Sequence, residues 1–212
     1  MKNITILGTG KVGMTLAAKL ASAGYNVILG TRDTAQAQAK GIASAIPIAD
    51  TVHAISHADI VFNTTPGETS VERLGALREE LRGKVLVDVS NAVKRDANGM
   101  PNGLMYTGKS LAEHLQEALP ETTVVKTLNT MLFMVMVNPQ LLQTPPTVFL
   151  SGNDASAKAL VTGLLADLGW KLPSIEDLGD ITTARGPETF MLFVPHILRN
   201  HGFAPFALSV VH

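Results

Sequence analysis

Gly8-Thr9-Gly10-Lys11-Val12-Gly13 follows the apolar run Ile4-Thr5-Ile6-Leu7 and opens a stretch with helical spacing. Three glycines so spaced, where a strand turns into a helix, suit the binding of a pyrophosphate. Gly8 permits the tight turn, Gly10 lets an anion reach the backbone, and Gly13 lets the helix pack closely on the strand. The helix start adds unpaired N–H groups, so Thr9, Lys11 and Val12 join the glycines as candidate cofactor-binding residues. A purely structural turn is the plain alternative. The strand before the motif and the strand Asn26-Val27-Ile28-Leu29 after its helix are the context that dinucleotide binding requires.

The end of that second strand indicates which dinucleotide. Chains that prefer NAD carry an acid about twenty residues past the motif, bonded to the adenine ribose. Here Gly30 is followed by Thr31 and Arg32, a hydroxyl and a guanidinium where a 2′-phosphate would lie. Arg32 can meet phosphate through two parallel charge-assisted bonds. In the competing reading Asp33 takes the acid's role, but it falls past the strand end, so NADP is expected.

Three further strand ends carry small hydrogen-bonding residues: Asn63-Thr64-Thr65-Pro66, Ser90-Asn91-Ala92-Val93 and Lys126-Thr127-Leu128-Asn129-Thr130. Ligands of open α/β sheets lie beyond such ends. Thr64, Thr65, Pro66, Asn91, Ala92 and Asn129 are therefore expected around a nicotinamide and its ribose, with helix capping as the alternative role of Asn and Thr. Lys126 has two readings, a substrate contact that balances charge on an acceptor ring or a solvated strand-end lysine. Met131-Leu132-Phe133-Met134-Val135-Met136-Val137 follows directly. Its polarizable methionines, Met131 and Met134 among them, could line a pocket for a flat ring or be ordinary core.

The positioning elements alternate between strand and helix. A helical stretch is expected over Thr34 to Lys40, a strand near Ile46 to Ile48, a helix from Asp50, and a longer helix over Thr69 to Arg82. Strands are expected at 59–63, 84–89, 122–128 and 147–151, apolar enough for parallel strands covered on both faces. Ser110 and Glu113 form a capping box that opens a later helix, and Asp96 to Gly103 is a turn-rich loop. The alternation predicts an α/β fold, a doubly wound, mostly parallel Rossmann sheet with a small C-terminal helical segment. The division expected is a dinucleotide-binding domain over 1–175 and a helical segment over 176–212. In that segment Thr189 to His201 is apolar nearly all round, and Pro195 should kink or divide it. Its burial would form part of an acceptor pocket and a homodimer contact.

Composition narrows the remaining classes. With 46% hydrophobic and 17% charged residues, 212 residues can bury a substantial core. Seventeen basic against eighteen acidic residues offer no electrostatic reason for nucleic acid or an anionic membrane as partner. No cysteine occurs, which removes disulfides, thiolate metal sites and a cysteine nucleophile. His53 and His57 share a helix face at metal spacing without an evident third ligand, so no metal is expected. The opening Met1-Lys2-Asn3-Ile4 runs straight into the first strand and no segment reaches membrane-spanning length, which gives a cytoplasmic protein as the expectation.

Ile6-Leu7-Gly8-Thr9-Gly10-Lys11-Val12-Gly13, Leu29-Gly30-Thr31-Arg32, Val87-Asp88-Val89-Ser90-Asn91 and Val125-Lys126-Thr127-Leu128-Asn129-Thr130 together resemble the coenzyme F420-dependent NADP oxidoreductase family. That family is related to the reductase domain of six-transmembrane metalloreductases. The resemblance covers most of the chain to about residue 170. It implies pyrophosphate at the glycine turn, the 2′-phosphate at Thr31 and Arg32, and the nicotinamide at the later strand ends. It also implies hydride transfer between NADP(H) and a small redox acceptor, the deazaflavin coenzyme F420 or a flavin. Such a transfer needs the reacting atoms about 3 to 3.5 Å apart more than it needs proton delivery, in keeping with the lack of an evident acid–base or nucleophile constellation. A non-catalytic NADP-binding sensor and a reductase of small imines or ketones are the alternatives.

Overall fold

A computed structural model describes residues 2–39 and 46–211. The first half runs β1 (Asn3–Leu7), α1 (Lys11–Ser22), β2 (Asn26–Thr31), α2 (Thr34–Ala39), β3 (Ile48–Asp50), α3 (Thr51–Ser56) and β4 (Ile60–Asn63). After a 3₁₀ turn at Gly67–Thr69 come α4 (Ser70–Gly75), α5 (Arg78–Leu81), β5 (Val85–Asp88), β6 (Val93–Arg95) and β7 (Pro101–Leu104). Then follow α6 (Leu111–Ala118), β8 (Thr123–Lys126), α7 (Phe133–Met136), β9 (Val148–Gly152), α8 (Ala155–Asp167), β10 (Ile175–Gly179), α9 (Arg185–Thr189) and α10 (Val194–His201).

Eight strands form one sheet in the order β10-β9-β8-β5-β4-β1-β2-β3. All neighbouring pairs are parallel except β8 with β9. The order reverses between β1 and β4, and that switch point is where a doubly wound sheet leaves a crevice. The sheet separates two apolar layers. Leu16 and Leu20 of α1 pack with Val161 and Leu165 of α8 on one side, and Ile55, Leu74, Leu81 and Leu115 on the other.

Several elements depart from expectation for local reasons. The helix expected over Thr69 to Arg82 is two short helices, because the chain leaves α4 at Gly75, a residue that weakens helix interiors. The early short strand lies at Ile48–Asp50, overlapping the expected Ile46 to Ile48 at Ile48 and running on past it, and Lys40 of the expected second helix lies outside the described residues. The turn-rich loop is the tip of a hairpin, β6 paired antiparallel with β7. Asp96 closes it, its Oδ1 accepting from the backbone of Asn98 at 2.8 Å and Met100 at 2.9 Å. The final segment contributes an edge strand, β10, before its helices. Pro195 divides the apolar run, which becomes a 3₁₀ turn at Phe190–Leu192 and then α10 with proline in its first turn. No described helix is long and apolar enough to cross a membrane.

Candidate active site

The glycine turn is built around Thr64. Gly8 sits at φ +115°, and a Cβ there would come within 2.8 Å of Thr64 Oγ1. A Cβ on Gly13 would lie 2.1 Å from the Gly8 carbonyl oxygen and 2.7 Å from the same hydroxyl. Thr64 itself donates to the Leu7 carbonyl at 2.7 Å, which ties the end of β4 to the end of β1. Gly10 differs from both, because nothing of the protein lies within 4 Å of its missing side chain. It is also the N-cap of α1 and no side chain caps that helix. The turn therefore offers open backbone and helix-start N–H groups to an anion.

Beside it lies a cavity of about 1450 Å³. Gly8, Thr9, Gly10, Val12, Thr31, Arg32, Thr64, Thr65, Pro66, Asn91 and Asn129 line it, so most of the expected cofactor residues face one space. Gly13, Lys11 and Ala92 are not among the lining residues. Gly13 acts through packing, and Ala92 is buried with its carbonyl accepting from Met105 N at 3.1 Å. Lys11 reaches over the Phe203 ring, 5.5 Å from its centre, and so connects the turn to the C-terminal tail.

Asn91 and Asn129 meet across the cavity floor, with Asn91 Nδ2 donating to the Asn129 carbonyl and Asn129 Nδ2 to Asn91 Oδ1, both at 3.0 Å. The intervening backbone is unusual. Leu128 lies at φ +58°, the only non-glycine residue with positive φ among the described residues. Such a conformation costs on the order of 1–3 kcal/mol and is held by its surroundings. Here it turns the chain at the end of β8 and delivers Asn129 to the cavity.

Lys126 fits neither of its expected readings. It is 1% exposed and bound at Nζ by Asp88 Oδ2 at 2.7 Å, Glu188 Oε1 at 3.0 Å and the Ser90 carbonyl. Burial works against its charge, but the Asp88 and Glu188 carboxylates outweigh burial and hold its pKa above the ordinary lysine value. Asn63 Nδ2 completes the cluster, donating to Asp88 Oδ1 at 2.8 Å and to the hydroxyls of Ser70 and Ser90 at 3.1 Å. The lysine thus locks strand ends together beneath the cavity and does not line it.

The far wall is apolar. Met131, Leu132, Phe133, Met136, Phe190, Met191, Val194 and Phe206 line it, whereas Met134 does not. The short helix α7 turns Phe133 and Met136 inward, and Trp170 Nε1 pins the Met136 carbonyl at 3.0 Å. Phe206 arrives from the C-terminal tail, where Leu132 N donates to the Phe206 carbonyl at 3.0 Å and Leu208 N to the Thr130 carbonyl at 3.1 Å. Sequence reasoning missed Phe206 and Arg73, another lining residue. The aromatic among small residues near the chain end was the only signal for the first. His53 and His57 lie with ring centres 4.6 Å apart, tilted to each other, outside the lining. They belong to no metal-holding group of three His, Asp or Glu side chains among the described residues.

Residues 3–92 match the family model described as NADP oxidoreductase, coenzyme F420-dependent. A crystal structure from Arthrobacter sp. FB24, described as a candidate F420-dependent NADP-reductase, is 38% identical and superposes with a TM-score of 0.91 over 100% of both chains. The F420-dependent NADP reductase of Methanocaldococcus jannaschii is 28% identical over 178 residues, 77% of this chain and 78% of its own length. Rat metalloreductase STEAP3 is 27% identical over 194 residues, 89% of this chain but 36% of that protein, so the chain spans about a third of the metalloreductase. A glycine turn open to an anion, a cavity at the switch point and full-length likeness to such a reductase agree, and the chain belongs to the F420-dependent NADP oxidoreductase family as an NADP-dependent oxidoreductase.

Proposed function

We propose that the protein passes hydride between NADPH and a deazaflavin or flavin-type ring. The observation that carries this reading is the continuity of one cavity. It runs from Thr31 and Arg32, past the glycine turn and the Asn91–Asn129 pair, to a wall of Met131, Phe133, Met136, Phe190 and Phe206. Arg32 and Thr31 would hold the 2′-phosphate, and the α1 start with Gly10 the pyrophosphate. The amides of Asn91 and Asn129, with Thr65, would orient the carboxamide and ribose so that one face of the ring is turned to the apolar wall. When bound, the nicotinamide supplies or accepts the hydride at its C4. The methionine and aromatic side chains then exclude water and offer a flat, polarizable surface to the second ring.

A homodimer accompanies this function. Leu192, Phe193, Phe203 and Val210 are exposed in the single chain, in the segment that supplies the outer acceptor wall. A second subunit would cover them.

The test is to mix purified protein and NADPH with coenzyme F420, FMN, FAD or a ferric chelate in turn and follow the nicotinamide absorbance. Oxidation with the deazaflavin or a flavin is expected. Tight NADPH binding without oxidation by any of them would overturn the proposal in favour of a sensor.

A further inference from the structure

The adenosine end of the cavity holds a cation that neither the glycine motif nor the second strand accounts for. Arg73, from α4, lines the cavity that Thr31 and Arg32 also line, within reach of the Arg32 charge. Its Nη2 is shut off from solvent and has no hydrogen-bond partner among the described residues. Arg32 and Arg73 belong to none of the ion pairs among the described residues. Nearby acids are engaged elsewhere or leave Arg73 unmatched. Asp33 Oδ1 accepts from the Gln36 backbone at 2.7 Å, Glu68 pairs with Arg95 at 3.0 Å, and Glu72 lines the cavity without pairing with Arg73.

A buried guanidinium N–H left unpaired is destabilising, and a second positive charge beside it adds repulsion. Burial first, and then the charge of Arg32, draw Arg73 below the usual guanidinium range. A buried polar group left unpaired calls for an explanation, and a ligand that completes it is one. Two guanidiniums lining one cavity, neither paired with a carboxylate among the described residues, suit a dianion, and planar N–H forks suit phosphate above all.

We propose that Arg73 is a second specificity-determining cation of the nucleotide site, donating its buried Nη2–H to the phosphate on the adenosine 2′ position while Arg32 holds the same phosphate from the end of β2. This rests on the reading that Arg32 faces the 2′-phosphate. The two arginines come from different elements, so the phosphate joins α4 to β2 and relieves the repulsion between them. A nucleotide without the 2′-phosphate leaves both cations unmatched, and discrimination arises from that residual repulsion as well as from the bonds that the phosphate accepts.

The experiment is calorimetric titration of 2′,5′-ADP, 5′-AMP, NADPH and NADH into the unmutated protein, Arg73→Met and Arg32→Ala. Loss of one charged phosphate bond is expected to weaken 2′,5′-ADP and NADPH roughly tenfold to a hundredfold in Arg73→Met. Binding of 5′-AMP and NADH should stay within about twofold. Ligand-free Arg73→Met should melt no lower than the unmutated protein, because an unmatched buried charge has been removed. Equal weakening of 2′,5′-ADP and 5′-AMP would assign Arg73 to the adenine or to the fold and overturn the proposal, as would no weakening at all. Should Arg73→Met melt lower, Arg73→Gln keeps N–H donors without the charge, and its selective or unselective loss decides in the same way. Failure of the underlying reading shows separately, as an unchanged preference for 2′,5′-ADP in Arg32→Ala.

Discussion

Lys126 is charged, buried and shared between Asp88 of β5 and Glu188 of α9. An intact buried pair contributes little net stability, since desolvation offsets attraction, but breaking one leaves a charge with no partner. Lys126→Met is accordingly expected to lower the unfolding free energy by about 3–5 kcal/mol, read as a fall in the urea midpoint. Adding Glu188→Gln should recover part of that loss. A change below about 1 kcal/mol would show that the two carboxylates are held well enough by their other donors. At this scale the glycines were legible in the sequence because their constraint is local backbone geometry. Lys126 was misread because its carboxylates stand 38 and 62 positions away in the chain (126 − 88 and 188 − 126). Arg73 was passed over because nothing beside it in the sequence marks a cavity.

Among the elements, the start of α6 shows how α9 is fastened to the rest of the fold. Ser110 and Glu113 form the expected capping box. Glu188 then accepts from the next two N–H groups, Leu111 at 2.7 Å and Ala112 at 3.1 Å, so two carboxylates meet the positive end of the helix. Arg185 completes the cluster by a two-point bond to Glu113, through Nε to Oε2 at 2.8 Å and Nη2 to Oε1 at 2.5 Å. The Arg185 bond leads in drawing the Glu113 carboxyl down to about 2, burial opposes it, and the Ser110 N–H and hydroxyl add to it. A depressed carboxyl contributes stability that is fully present above the unfolded value near 4.5 and is lost as pH falls through about 2. Melting temperature should therefore drop across that window, and Glu113→Gln should flatten this part of the profile. An unchanged acid limb in the variant would place the sensitivity elsewhere. The box was legible because its partners lie three residues apart, whereas Arg185 and Glu188 reach it only through the fold.

For the whole molecule, the exposed apolar side chains of the last twenty residues set the expectation. Phe193 and Phe203 are 62% and 64% exposed, and apolar side chains left to water close together mark an interaction surface. Light scattering is expected to give twice the chain mass, with Phe193→Glu and Phe203→Glu shifting it toward one chain. A single-chain mass for the unmutated protein would remove the dimer. The sequence by itself determined the strand–turn–helix–strand unit, the alternation that makes a parallel sheet, and the hydroxyl and guanidinium at the end of β2. Each of these depends on residues close in the chain and on what a backbone can do there. Tertiary structure alone decided which strand ends share a cavity, that Lys126 lies beneath it, that Arg73 joins Arg32, and that the tail brings Phe206 to the far wall. Those outcomes follow from strand order and from contacts between distant residues, where burial and charge balance are set by the whole fold.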